Sequence, residues 1–62
     1  MDPEKLFTTR EAAEVIGVHP KTLYAWAESH QIGHVRIGAG RSIRFRRIDI
    51  EDYLSRRAVA PR

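Results

Sequence analysis

Val35–Arg47 reads VRIGAGRSIRFRR. Apolar and polar residues alternate on both sides of a glycine-flanked break at Gly38 and Gly40. Val35 and Ile37 share one face, with Arg36 on the other. Ile43 and Phe45 share one face, with Ser42, Arg44 and Arg46 on the other. A period of two around such a break predicts a half-buried β-hairpin whose loop is Gly38 to Ser42. Arg36, Arg41, Arg44, Arg46 and Arg47 fall in this stretch and no acid does. An apolar underside beneath arginines suits a polyanion. A merely solvated hairpin, the plain alternative, ordinarily mixes both signs of charge.

Upstream of the hairpin the period changes to that of helices. Thr8 and Glu11 fit a T-x-x-E capping box, with Phe7 placed as a hydrophobic staple and Met1 to Phe7 as an extended lead-in. Ala12, Ala13 and Ile16 form the apolar stripe of this first helix, and Gly17 is its expected stop. The chain restarts at once. His19 takes the N-cap, a position it fills less well than Ser or Asp, and Pro20 sits at the first helical position. Leu23, Trp26 and Ala27 recur at helical spacing to an end near Ser29–Gln31. Two short helices joined by Gly-Val-His make a helix-turn-helix, and the small Ala12 and Ala13 let the helices approach closely.

Downstream, Asp49 reads as the N-cap of a third helix carrying Ile50, Tyr53 and Leu54. Arg56 and Arg57 fall in its last turn, where positive charge complements the helix dipole. The expected fold class is therefore α+β: a helix-turn-helix, a two-stranded hairpin and a C-terminal helix. It forms a single domain over residues 1–62, with 1–5 and 58–62 flexible. The expected core is Leu6, Ala12, Ile16, Val18, Leu23, Trp26, Ile32, Val35, Ile37, Ile43, Phe45, Ile48, Tyr53 and Leu54. That leaves few apolar residues to line a small-molecule pocket.

Composition narrows the function classes. The 62 residues carry no cysteine, which removes disulfides and thiolate metal sites. His19, His30 and His34 lack ligand spacing on one face, so no metal and no cofactor is expected. No apolar run approaches a membrane span and the N-terminus lacks a signal-peptide pattern, so a cytoplasmic protein is expected. The net charge of +3 hides an asymmetry. Residues 1–35 hold three Lys or Arg against five acids, whereas 36–62 hold eight Arg against three acids. Arginine forms planar bidentate contacts with phosphates and guanine edges that lysine does not. No nucleophile, carboxylate cluster or acid–base pair is left facing a pocket, so catalysis is not expected.

The ordered series Leu6, Thr8, Glu11-Ala12-Ala13, Gly17-Val18, Pro20-Lys21-Thr22-Leu23, Trp26, Val35-Arg36-Ile37-Gly38, Arg44 and Asp49 to Leu54 resembles the excisionase-type, MerR-like winged helix-turn-helix. It departs from that pattern at His19, where a small cap is usual, and at Ala25, where a polar or basic side chain is usual. The resemblance implies a binder of double-stranded DNA that puts its second helix in the major groove and its hairpin, the wing, in an adjacent minor groove. The residues agree. With Leu23 and Trp26 inward, Lys21, Thr22, Ala25 and Glu28 face out, and Tyr24 lies at the boundary. Lys21, Thr22 and Tyr24 suit phosphates or base edges. Arg41 at the wing tip suits a narrow minor groove, with Arg36, Ser42, Arg44 and Arg46 along the backbone. Arg10 and Thr8, at the start of the first helix, suit a phosphate. Each has a structural alternative: Tyr24 as packing, Thr22 bonded within its helix, and Arg46 and Arg47 paired with Asp49, Glu51 or Asp52.

Among such proteins, a lone module of this size resembles small phage excisionases. These bind adjacent sites beside an attachment site, touch head to tail, bend the DNA and direct an integrase toward excision. A small MerR-like transcriptional regulator is the second reading. A protein-interaction module using the arginine face on an acidic partner is the third.

Overall fold

The computed structural model describes residues 5–39 and 42–59. In chain order the elements are β1 (Leu6–Phe7), α1 (Thr9–Ile16), α2 (Pro20–Glu28), β2 (Val35–Arg36), β3 (Ile43–Arg46) and α3 (Arg47–Arg57). The three strands form one antiparallel sheet in the order β1-β3-β2. The chain thus has the expected α+β architecture, a helix-turn-helix followed by a hairpin wing and a last helix.

The α1 boundaries follow from local chemistry. The Thr8 hydroxyl accepts from the Glu11 N–H at 3.0 Å, and the Glu11 carboxylate accepts from the Thr8 N–H at 3.0 Å. This reciprocal box satisfies two donors left unpaired at a helix start. The same backbone bond, opposed by desolvation and aided by Lys5, the Thr8 hydroxyl and Arg44, holds the Glu11 carboxyl below its ordinary value. Gly17, at φ 90°, ends α1 in the left-handed conformation, and its N–H and that of Val18 both reach the Ala13 carbonyl.

At the start of α2, His19 is a working cap: its Nδ1 accepts from the Lys21 N–H at 3.0 Å. Only an unprotonated Nδ1 can fill that role. α2 ends in a Schellman turn. The Gln31 N–H reaches the Trp26 carbonyl at 2.8 Å and the His30 N–H reaches Ala27 at 3.1 Å. The left-handed residue of that turn is His30, at φ 62°, where glycine is usual.

The wing register pairs Val35 with Arg44 and Arg36 with Ile43. One more bond, from the Ile37 N–H to the Ser42 carbonyl at 2.9 Å, closes it toward the tip. Gly38 is left-handed at φ 69°. On the far side of β3, Leu6 pairs with Arg46 and Phe7 with Phe45. The expected lead-in is therefore a strand at its end, and Phe7 is a half-buried sheet residue.

The core comprises Ala12, Ala13, Leu23, Ala27, Ile32, Ile43, Phe45, Ile50 and Tyr53. Three alanines on α1 and α2 allow the two helices to close on one another. Phe7, Ile16, Val18, Tyr24 and Trp26 pack around this centre. Several expectations are corrected. Leu6, Ile37, Ile48 and Leu54 are exposed, and Val35 is only half-buried. Trp26 lies at the edge of the core, stacked on Tyr53 with centroids 5.1 Å apart. The cause at Ile48 is a shifted helix start. α3 begins at Arg47, with Arg46 as N-cap and Asp49 in the third helical position. That phase turns Ile50 and Tyr53 inward and Ile48 out.

Candidate nucleic-acid interface

Asp49 organises the junction between the wing and α3. Its side chain is buried, only 5% exposed, and takes both arms of the Arg46 guanidinium, at 2.7 Å and 2.9 Å. It also accepts the Arg46 backbone N–H at 3.0 Å. Burial pushes the Asp49 carboxyl upward, but the hydrogen bonds and charge of Arg46, with a smaller contribution from His34, outweigh it and hold the group below its ordinary value. The same pairing raises Arg46. Arg46, expected on the DNA backbone, is thus engaged in fixing β3 to α3, the structural alternative recognised in the sequence. Gly33 lies against this carboxylate: a Cβ there would stand 2.6 Å from Asp49 Oδ1.

On α2, Lys21, Thr22, Ala25 and Glu28 are all exposed, as their phase requires. Lys21, Ala25 and Glu28 recur at intervals of four and three, which makes one stripe. Tyr24 is half-buried, one part of it packed against the core and the rest open beside the stripe. The carbonyl of Ala25 receives the Ser29 N–H and hydroxyl. The stripe connects to the wing through Glu28, whose carboxylate lies 3.3 Å from Arg36 Nη2. Both side chains are more than half exposed, so this pair contributes at most about 1 kcal/mol and exchanges readily.

In the wing, Ser42 is exposed. Arg44 stands on the face of β3 opposite Ile43 and Phe45 and donates to the Ile43 carbonyl at 2.9 Å. It is half-buried and near enough to Glu11 to help lower that carboxyl. Arg41 lies outside the described residues. Arg10 is exposed in the first turn of α1, while the Thr8 hydroxyl is taken by its cap. Beyond the wing, Arg56 pairs with Asp52 at 3.1 Å, and Arg57 lies over the Tyr53 ring at 5.1 Å.

The fold also assembles a site that spacing did not suggest. His30 and His34 sit on no common helix, yet their rings stack with centroids 6.4 Å apart and 25° between planes. With Ile32, Gly33 and Arg36 they line an open cleft of about 400 Å³ between the end of α2 and β2. No spacing in the sequence marks it, because the pairing requires the left-handed His30 that reverses the chain after α2. Among the described residues, no group of three or more His, Cys, Asp or Glu could hold a metal ion. Among them, too, no helix is long and apolar enough to cross a membrane.

Residues 6–58 match the family model described as a helix-turn-helix domain. The chain belongs to this helix-turn-helix family, and the membership assigns it double-stranded DNA as a partner. No curated protein and no solved structure gives a significant match.

Proposed function

We propose that the protein is an architectural DNA-binding module of the excisionase kind, without catalytic activity of its own. It lays α2 in a major groove and the wing on the adjacent backbone and minor groove. Bound at neighbouring sites beside an attachment site, it bends the DNA and directs an integrase toward excision. The observation that carries this reading is the continuity of the α2 stripe with the basic wing through Glu28 and Arg36. The stripe is short and includes Ala25, whose methyl group offers no hydrogen bond to a base edge. One copy therefore specifies sequence weakly, and adjacent copies touching head to tail gain affinity by raising one another's effective concentration.

In the contact set, Lys21, Thr22 and Tyr24 serve the major groove with Ala25 against it. Arg36, Arg41, Ser42 and Arg44 serve the wing, and Arg10 meets a phosphate beside the α1 N-terminus. Arg46 supports this set from behind through Asp49.

A gel-shift titration on DNA flanking an integrase attachment site, at two salt concentrations, tests the reading. A cooperative ladder of bent complexes is expected. A single shifted band at a promoter, with none at the attachment site, would assign the module to transcriptional regulation instead.

A further inference from the structure

We infer that the cleft lined by His30, His34 and Arg36 is a pH-gated seat for a phosphodiester of the DNA backbone. The inference rests on the DNA-binding reading above and adds a contact outside its expected residues. Four observations support it.

The cleft continues the α2 stripe, since Arg36 reaches back to Glu28 on that helix. A phosphate flanking the groove entered by α2 would fall beside it. Second, His34 Nδ1 lies 3.2 Å from the Ile32 carbonyl. A carbonyl only accepts, so Nδ1 carries the proton and a neutral ring leaves Nε2 as an acceptor. An acceptor repels phosphate oxygens, whereas a protonated ring turns Nε2 into a charged donor. Third, the His30 and His34 rings stack with centroids 6.4 Å apart, close enough for one anion to offset the mutual repulsion of two imidazolium charges.

Fourth, His30 occupies its left-handed position at φ 62°, where glycine would be accommodated without Cβ strain. Its side chain is exposed and contributes little burial to offset that strain. Strain retained by an exposed imidazole that faces a second imidazole is consistent with a role in binding.

The surrounding charges do not fill the seat. Glu28 is on Arg36; Asp49, the acid whose charge His34 feels from the start of α3, is buried behind Gly33 with its hydrogen bonds given to Arg46. Arg56, from the end of α3, approaches the Gln31 carbonyl at 3.4 Å and pairs with Asp52. An incoming phosphate takes Arg36 from a solvent-exposed carboxylate and protonated Nε2 from water, two exchanges of low cost.

The test is fluorescence anisotropy with a labelled random-sequence duplex, at about pH 5.5 and about pH 7.5. Random sequence suffices because phosphate contacts are independent of base order. Wild-type protein is expected to bind roughly tenfold tighter at the lower pH, the worth of one charge-assisted hydrogen bond. His30→Gly and His34→Asn are expected to lose most of that gain. His30→Gly should do so while melting at a higher temperature than wild type, which separates loss of contact from loss of fold. Equal duplex affinity of wild type and His30→Gly at both pH values overturns the seat and leaves the DNA-binding reading standing. No binding of duplex by wild type at either pH, at low salt, overturns both.

Discussion

Among the described residues Asp49 is the buried charge, and its surroundings make stability depend on pH. Its folded-state pKa lies below the ordinary value, so its contribution is complete above the unfolded value of about 3.9 and is lost as pH falls through the folded one. Asp49→Asn is therefore expected to lower the melting temperature at neutral pH by roughly 5–15 °C, the equivalent of about 1–3 kcal/mol. It should also flatten the acid limb of melting temperature against pH. An acid limb parallel to that of wild type would assign the sensitivity elsewhere, Glu11 being the other lowered carboxyl. Gly33 belongs to the same unit, because a methyl group there would strike Asp49 Oδ1, which Arg46 prevents from yielding. Gly33→Ala should cost about 1–3 kcal/mol in wild type and clearly less in an Asp49→Ala background. Additive melting shifts would show that the two do not share one packing constraint.

At the scale of the element, each helix start uses a different residue for the same task. Thr8 and Glu11 form a reciprocal box, His19 accepts through an imidazole nitrogen, and Asp49 receives the Arg46 N–H. Thr8→Ala should cost about 1 kcal/mol, read by chemical denaturation. His19→Ser should be neutral or slightly stabilising, because serine caps at least as well; a loss of more than about 1 kcal/mol would mean that the imidazole packs as well as caps. The outer face of α2 has a functional counterpart. Lys21→Ala should weaken duplex binding and reduce the slope of log affinity against log salt by about one, the mark of a single lost phosphate contact. An unaltered slope would remove Lys21 from the backbone contacts.

At the scale of the whole fold, a few side chains hold a domain this small. Phe45, Leu23 and Ile32 are its largest fully buried residues. Phe45 also lies on the strand that joins β1 to the wing. Phe45→Ala should cost about 3–5 kcal/mol, enough to unfold a domain this size, as circular dichroism would show. Trp26→Ala should cost less, roughly 2 kcal/mol, because its ring is only half-buried and loses chiefly the Tyr53 stack. A variant at Trp26 that fails to fold would mean that the stack secures α3 against α2. For the intact protein on DNA, affinity should fall by about 10³ between 50 and 200 mM salt if about six phosphates are neutralised. A flat salt response would exclude the wing arginines as backbone contacts.

The sequence by itself determined most features that depend on neighbours along the chain. The capping box at Thr8, the stop at Gly17, the restart at Pro20 and the alternation through Ile43 and Phe45 are local patterns, and the helix-turn-helix and wing follow from them. The exposed Lys21–Glu28 stripe was legible for the same reason, since helical phase alone sets it. Only the tertiary structure decided the rest. A two-residue strand such as Leu6–Phe7 is too short to display a period, so its pairing with β3 appears only when β3 is in place. Asp49 resembles an N-cap until Arg46 and Gly33 close around it and shift the helix start by one turn. The His30–His34 pair depends on a left-handed backbone at His30 that no side-chain pattern encodes; the turn that ends α2 reverses the chain there, and the rings meet only once the segment leading into β2 is in place.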